Sequence, residues 1–233
     1  MESTYICAII GAIGAGKSEV CTRVRKALPE AKYIPEYIDH PDPQERAIAQ
    51  RMLSSYLSGA ISDWDFQYYI QNYYITNGAP NEHGVTILER TMSDSVSIFC
   101  NLAHKNGKLD DRALSLFFMT CSAADERSGT PCFFLGNFEF SRVDSTPEIE
   151  VVMAEIMKII ENDMKAGVRC RVIGLDCTPD VARERIIRRS RPDEAEKYDD
   201  SYTRLNTRMY SNLYDLLEKN GKISITQLDK LFD

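Results

Sequence analysis

A glycine-rich segment near the start of the chain has the residue types and spacing of a phosphate-binding loop. Residues 11–18 match the pattern G-x-x-x-x-G-K-S/T. In this pattern the glycines let backbone N–H groups close around phosphates, the lysine reaches the β- and γ-phosphate oxygens, and the final hydroxyl binds Mg²⁺. The sequence therefore predicts a nucleoside triphosphate site made of Gly11, Ala12, Ile13, Gly14, Ala15, Gly16, Lys17 and Ser18.

Two acidic residues follow strand-like runs and have the chemistry that phosphoryl transfer needs. Glu36 lies near the end of residues 32–37, and Glu89 with Arg90 follows the apolar run at 84–88. Open α/β sheets bind ligands at the carboxyl ends of their strands. There Glu36 could accept a proton from a substrate hydroxyl, Glu89 could bind Mg²⁺, and Arg90 could hold the transferring phosphoryl group. The alternatives are an exposed loop carboxylate and a surface ion pair.

A dense group of arginines follows another strand-like run in an otherwise acidic chain. A helix start at residues 178–180 precedes the group, and Pro192 ends it. The arginines are Arg183, Arg185, Arg188, Arg189 and Arg191. Because a P-loop kinase needs cations that face the phosphate loop, this pattern favours an arginine-rich lid over a solvated helix face.

An aromatic segment with amide side chains could line a slot for a nucleobase. Residues 64–74 read WDFQYYIQNYY, and helical spacing places Gln67, Ile70 and Tyr74 on one face together with Gln71. An ordinary core helix with polar edges is the alternative interpretation.

The elements that position these residues alternate between strand-like and helical patterns, which indicates an α/β fold with a parallel sheet. The run at residues 4–10 predicts a strand buried on both faces, and 18–28 predicts the helix that follows the phosphate loop. Later strand-like runs are at 84–88, 169–175 and 222–226. Residues 120–147 lack a clear period and are predicted to form an irregular surface excursion.

Composition limits the classes of function. The net charge of −7 argues against nucleic acid as a partner. Seven cysteines without a CxxC pair predict neither a disulfide framework nor a zinc site, and the three histidines lack metal or triad spacing. No run is long enough for a signal peptide or membrane span, so we expect a cytoplasmic protein. With no repeat or linker, we expect one domain over residues 1–233.

Together these residues resemble the deoxynucleoside kinase family, which includes the deoxycytidine, deoxyguanosine and mitochondrial thymidine kinases and the broad-specificity insect enzyme. The resemblance spans most of the chain and implies a P-loop kinase fold, with a five-stranded parallel sheet flanked by helices and an arginine-rich lid. Its ordered signatures are the phosphate loop, Glu36, Tyr56, residues 64–67, Glu89-Arg90-Thr91 in place of Glu-Arg-Ser, and the lid-like run RIIRRSR at 185–191.

The resemblance implies that ATP phosphorylates the 5′-hydroxyl of a small deoxynucleoside, and that the enzyme is a homodimer. Glu36 would activate that hydroxyl with the help of Arg90, and Ser18 with Glu89 would hold Mg²⁺. The transferring phosphoryl group would be stabilised by Lys17, Arg185, Arg189 and Arg191. Gln67 would bind the base edge, Phe99 would stack on the base, and Tyr56 with Glu194 would hold the 3′-hydroxyl. The nucleoside-binding set also includes Trp64, Ile70, Tyr74 and Ser95.

The sequence departs from the family pattern at several places. Pro35 precedes Glu36, whereas the family places a proline after it. The arginine and aspartate of the cytosine and purine enzymes correspond to Tyr74 and Ser95, although Asp94 is adjacent. This difference favours thymidine or a broad set of pyrimidine nucleosides. The chain also ends soon after the last predicted strand, where the family's adenine-contacting loop would follow.

Two other functions fit part of the pattern. A nucleoside-monophosphate kinase of the thymidylate kinase type shares the phosphate loop, the acid–arginine pair and the lid. Tyr56, residues 64–67 and Glu194 distinguish the nucleoside kinases from it. A non-catalytic relative, such as an accessory subunit of a respiratory complex, would be expected to lose Lys17 or Ser18, and both are intact.

Overall fold

A five-stranded parallel sheet forms the centre of the molecule. The structure is a computed structural model that describes residues 4–189 and 194–233. The strands are β1 (Tyr5–Gly11), β2 (Lys32–Ile34), β3 (Val85–Glu89), β4 (Glu139–Asp144) and β5 (Cys170–Asp176), in the order β2-β3-β1-β5-β4. This arrangement confirms the predicted α/β fold with a five-stranded parallel sheet flanked by helices.

Helices cover the sheet and close its edges. They are α1 (Lys17–Ala27), α2 (Pro43–Leu57), α3 (Asp63–Asn77), α4 (Met92–Ser95), α5 (Asn101–Lys105), α6 (Asp111–Ser128), α7 (Ile149–Ala166), α8 (Pro179–Arg189), α9 (Glu194–Lys197) and α10 (Asp200–Asn220). Short 3₁₀ helices lie at Tyr37–Asp39 and Ile225–Phe232, and a π-helical segment lies at Val96–Cys100. None of the described helices combines the length and apolar character needed to cross a bilayer.

The central strand is buried along its whole length, as its continuous apolar sequence predicts. All seven residues of β1 are buried, because β3 and β5 pair with its two edges and helices cover both faces. On one face α10 packs very closely against β5. A Cβ atom at Gly174 would lie only 2.7 Å from the ring of Tyr214, so glycine is required at this contact. The close approach brings α10 to the site at the carboxyl ends of the strands.

The prediction of an irregular surface excursion at residues 120–147 was wrong. The helix α6 continues to Ser128, and Phe133 in the following loop is fully buried. The chain then forms β4, which pairs in parallel with β5. This edge strand was difficult to recognise because only one of its six residues, Val143, is buried and its sequence, EFSRVD, is largely polar.

The strand predicted at residues 222–226 was also wrong. Ser224 instead caps the 3₁₀ helix at Ile225–Phe232, and its side chain and that of Gln227 form a capping box. Leu228 and Leu231 of this helix are buried. The alternating pattern KISIT therefore comes from a helix entry rather than from a strand, and β4 supplies the fifth strand of the sheet.

Candidate active site

The phosphate loop joins the end of β1 to the start of α1, as predicted. Gly14 and Gly16 adopt φ values of 87° and 95°, which glycine accepts without steric cost. A Cβ atom on Gly14 would lie 2.3 Å from the carbonyl oxygen of Ala182 in α8. Glycine is therefore needed both for the backbone conformation and for the close packing of α8 against the loop.

Lys17 lies inside the phosphate loop, and α10 anchors the loop from outside. The Lys17 ammonium donates to the carbonyl oxygens of Gly11 at 3.1 Å and Ala12 at 3.0 Å. Burial, followed by the charge of Arg90, lowers the pKa of Lys17 to about 8. The N–H of Ile13 donates to Asn206 Oδ1 at 2.9 Å, a contact that sequence reasoning missed because Asn206 lies 193 positions away.

Ser18 and Glu89, the predicted metal ligands, lie next to each other. Ser18 Oγ donates to Glu89 Oε1 at 2.6 Å, and the hydroxyl of Tyr33 donates to Glu89 Oε2 at 2.7 Å. Burial and the nearby charge of Glu36 raise the pKa of Glu89, despite these two hydrogen bonds. A hydroxyl and a carboxylate beside the phosphate loop are the oxygen ligands that Mg²⁺ prefers, so this pair fits the metal.

Glu36 and Arg90 are joined in a buried charged network. Arg90 Nε donates to Glu36 Oε1 at 2.9 Å, and Nη1 donates to Asp94 Oδ2 at 2.9 Å and to the hydroxyl of Tyr210. That hydroxyl in turn donates to Asp94 Oδ1 at 2.6 Å. Because its partners fix it on several sides, the guanidinium, on a residue only 4% exposed, keeps Glu36 in one orientation.

The backbone of Arg90 explains how one residue can end a strand and also enter this network. Its N–H donates to the carbonyl oxygen of Ile9 at 2.9 Å and thus extends the pairing of β3 with β1. Its φ of 68° is the one positive value of a non-glycine residue in the part of the chain that the structure describes. Such a conformation is uncommon outside glycine and is often found at functional sites.

The residues predicted to line a nucleobase slot lie on α3 and on the segment after β3. Gln67 Oε1 accepts hydrogen bonds from Ser95 Oγ at 3.2 Å and from Cys100 Sγ at 3.5 Å. Ile70, Tyr74 and Phe99 line the same cavity. Five of the predicted base-binding residues are thus brought together, while the contribution of Cys100 was missed because it lies within a π-helical segment.

Tyr56 lines the cavity as predicted, but Trp64 does not. The ring of Tyr56 stacks on Phe66 with centroids 4.2 Å apart, and its hydroxyl donates to Asp63 Oδ1 at 3.1 Å. The ring of Trp64 instead packs against Phe117 of α6, with centroids 4.7 Å apart. Trp64 thus faces α6 and does not line the cavity, so its expected contact with the nucleoside has no support in the geometry.

The arginines of α8 divide between two faces of that helix. Arg185 donates to the carbonyl oxygens of Ala15 at 3.2 Å and Ser145 at 2.7 Å, and Arg188 and Arg189 also line the cavity. The fourth arginine, Arg183, pairs with Asp200 of α10 at 2.8 Å. Two predicted groups, Arg191 and the side chain of Glu194, lie outside the described residues.

Apart from Trp64, Arg183 and the two groups outside the described residues, the predicted groups surround or support one cavity of about 830 Å³, which is within the usual size of a ligand site. The cavity extends from the base slot, across the phosphate loop, to the loop at 145–148 and the start of α7. That loop belongs to the region that sequence reasoning had described as an irregular surface. Tyr37 and Tyr202 are further lining residues that it missed.

Comparison with known proteins supports the interpretation of this geometry. A family model described as deoxynucleoside kinase matches residues 7–134, which is more than half of the 233 residues. The chain belongs to the deoxynucleoside kinase family. The matched region contains the phosphate loop, Glu36, Gln67, Arg90 and Phe99. The arginines of α8 lie beyond the matched region.

A solved structure is similar over almost the whole kinase. A deoxyadenosine kinase from M. mycoides with bound dCTP matches with a TM-score of 0.58 and 13% sequence identity, covering 97% of this chain and 95% of that chain. At this identity the likeness shows that the two proteins share a fold. No curated protein sequence matches the chain.

Proposed function

We propose that the enzyme transfers the γ-phosphate of ATP to the 5′-hydroxyl of a deoxynucleoside, with a preference for thymidine or for pyrimidine nucleosides in general, and that it serves nucleotide salvage. The supporting observation is that one cavity contains the phosphate loop, the Glu36–Arg90 pair and Gln67. Residues 1–233 would act as one catalytic unit. The family relationship supports the nucleoside kinase activity.

In this mechanism Glu36 accepts the proton of the 5′-hydroxyl as that oxygen attacks the γ-phosphorus. The bond from that phosphorus to the β,γ-bridging oxygen breaks, and ADP leaves. Its ion pair with Arg90 keeps the carboxylate oriented and near the attacking oxygen. Lys17, Arg185 and Arg189, with Arg191, stabilise the negative charge of the transferring group. Ser18 and Glu89 would hold Mg²⁺, which supplies charge neutralisation at the β- and γ-phosphates.

The contacts of Gln67 support a pyrimidine preference. Because Ser95 and Cys100 both donate to Oε1, the amide nitrogen is the group that remains to donate to a base carbonyl such as O4 of thymine. Asp94 is adjacent to Ser95 in sequence. Its carboxylate is bound to Arg90 and Tyr210 and does not line the cavity. A carboxylate acceptor for an exocyclic amine is therefore not presented from this position.

The far arm of the cavity lies between α8 and the loop at 145–148, and we propose that the adenine of ATP binds there. Arg185 joins these two elements through its hydrogen bond to the Ser145 carbonyl oxygen. The half-buried side chain of Thr146 lines this arm. We expect Thr146→Trp to raise the KM for ATP while the KM for the nucleoside stays unchanged, as measured in steady-state assays. A rise confined to the nucleoside KM would contradict this placement.

We also propose that the enzyme is a cytoplasmic homodimer that acts on small molecules and needs neither nucleic acid nor a membrane. Large apolar side chains that are exposed on α3 and α6 support the homodimer: Tyr68, Ile75, Leu116 and Met119. Light scattering on the full chain is expected to give twice the chain mass, and a single chain mass at micromolar concentration would contradict the homodimer.

A two-substrate assay tests the reaction itself. With labelled ATP, we expect phosphorylation of thymidine, weaker phosphorylation of the three other deoxynucleosides with cytosine ahead of the purines, and no turnover of thymidine monophosphate. Turnover of the monophosphate alone would instead identify a nucleoside-monophosphate kinase. Failure to bind any nucleoside triphosphate in a thermal-shift titration would identify a non-catalytic relative.

A further inference from the structure

A second buried group of ligand-type side chains lies outside the nucleotide cavity. Cys121 and Asp125 are one turn apart on α6, and Cys132 lies in the loop that follows. The two sulfur atoms and a carboxylate oxygen all lie within 4.8 Å of one another. We call these three residues the cysteine–aspartate cluster. The left-handed turn at Gly129 ends α6 and lets the chain return past Asp125.

The carboxylate in this cluster is buried among neutral groups. Asp125 is 4% exposed and accepts hydrogen bonds from Thr130 Oγ1 at 2.7 Å and from Cys121 Sγ at 3.3 Å. Burial raises the pKa of Asp125 to about 6. No ion pair links Asp125 to a cation within residues 4–189 and 194–233. Buried charges of this kind are normally paired or bound to a metal ion.

We propose that the cysteine–aspartate cluster binds one Zn²⁺ ion through Cys121 Sγ, Cys132 Sγ and a carboxylate oxygen of Asp125. Thiolate and carboxylate groups are common zinc ligands, and sulfur disfavours Mg²⁺ and Ca²⁺. On binding, two S–H bonds break, two Zn–S bonds form and two protons pass to solvent. The step involves no oxidation or reduction.

The surroundings of the cluster meet the other requirements of a metal site. Thr130 holds one oxygen of Asp125 and is itself hydrogen-bonded to Ser128 Oγ at 2.8 Å, which fixes the orientation of the carboxylate. A second cavity, of about 330 Å³, is lined by Asp125 and Thr130. It reaches the cluster on the side of the Asp125 carboxylate, from which an ion and a water molecule as the fourth ligand could enter.

The position of the cluster indicates a structural function for the ion. The N–H of Cys132 donates to Asn137 Oδ1 at 2.8 Å, and the N–H of Phe133 donates to Ser93 Oγ at 3.2 Å. Ser93 lies on α4, immediately before Asp94 of the active-site network. An ion bound by α6 and the following loop would hold that loop in place. Because the loop donates a hydrogen bond to Ser93, the ion would stabilise α4 without contacting substrate.

Cobalt substitution of the full chain tests the proposal. The reduced protein is freed of metal and titrated with Co²⁺, whose bonds to thiolates give charge-transfer absorption that oxygen ligands at Ser18 and Glu89 do not produce. We expect one equivalent of Co²⁺ with this absorption, its displacement by Zn²⁺, and its loss in Cys132→Ser. Cys7→Ser, which changes a buried thiol outside the cluster, is the matched control and should bind cobalt normally.

Thermal stability provides a second readout, and this measurement does not depend on kinase activity. Zn²⁺ in hundredfold excess over its Kd should raise the Tm by about 5–10 °C. Asp125→Asn, which keeps the shape of the side chain, should fold and show a smaller Tm rise. The absence of thiolate absorption, absorption that persists in Cys132→Ser, or an equal Tm rise in Asp125→Asn would each overturn the proposal.

Discussion

The active-site network and the cysteine–aspartate cluster bury carboxylates in opposite ways. In the network, Glu36 and Asp94 each contact the guanidinium of Arg90, so both carboxylates face a positive charge inside the protein. In the cluster, Asp125 is surrounded by thiols and a hydroxyl. The first arrangement holds fixed charges ready for a reaction, whereas the second leaves a charge that a bound cation can compensate.

The largest expected effect comes from removing Glu36, the proposed base of the active-site network. Glu36→Gln should lower kcat about 10²–10⁴-fold, because a proton acceptor lost from the transition state mainly affects the rate of the chemical step. The Kd for ATP, measured by titration calorimetry, should stay within about threefold of the wild-type value, because the substitution leaves the phosphate loop intact. Glu30→Gln changes an exposed glutamate and serves as the control. Wild-type turnover in Glu36→Gln would remove this residue from the mechanism.

Asp125→Asn tests the other side of the comparison. Without metal at neutral pH, this substitution should stabilise the protein by about 1–3 kcal/mol, because it removes a buried charge that no cation compensates. Urea unfolding with a chelator measures the effect, with the exposed neighbour Glu126→Gln as the control. A loss of stability would mean that the carboxylate is compensated after all, and the contrast between the two regions would fail.

Tyr210→Phe tests how strongly the active-site network depends on its neutral member. The Tyr210 hydroxyl accepts from Arg90 and donates to Asp94, so its loss should cost about 1–3 kcal/mol of stability. Because Arg90 then loses one of its fixed partners, we also expect a moderate decrease in kcat. Denaturant unfolding and steady-state kinetics measure both quantities. The exposed Glu30→Gln again provides a baseline close to wild type.

The smallest effect is expected where a thiol acts only as a weak donor. Cys100→Ala removes the 3.5 Å contact to Gln67 Oε1, and Ser95 remains to orient the amide. The KM for the nucleoside should rise about twofold, because an S–H group is a weak donor and a net hydrogen bond is modest. A tenfold rise in that KM would show that Cys100, rather than Ser95, sets the orientation of Gln67.

The sequence predicted those parts of the molecule in which a short stretch of residues indicates both the local structure and the proposed function. The apolar run before Gly11 forms a strand. The ends of the strands position the phosphate loop and the residues near Glu36 and Glu89. Gln67 was predicted to face the base slot because helical spacing fixes the face of α3 on which it lies. These inferences needed only short-range geometry.

Features that depend on distant contacts could not be predicted in the same way. The strand β4 is partly exposed and polar because it lies at a sheet edge, so the alternation of apolar and polar residues in its sequence is weak. Asn206 reaches the phosphate loop only because α10 packs closely over Gly174. Cys121 and Cys132 are eleven positions apart and lack a familiar spacing, so only the turn after α6 reveals that they are neighbours.

The strand order has a consequence for synthesis on the ribosome. The strand β4 is made before β5, yet β5 occupies the place between β1 and β4. Until β5 emerges, the nascent chain exposes two open strand edges, of β1 and β4, and unpaired edges promote aggregation. We therefore expect stalled chains that end within α7 to sediment with aggregates, whereas chains that extend beyond α8 stay dispersed. The assembly of the sheet thus depends on an interior strand that is synthesised last.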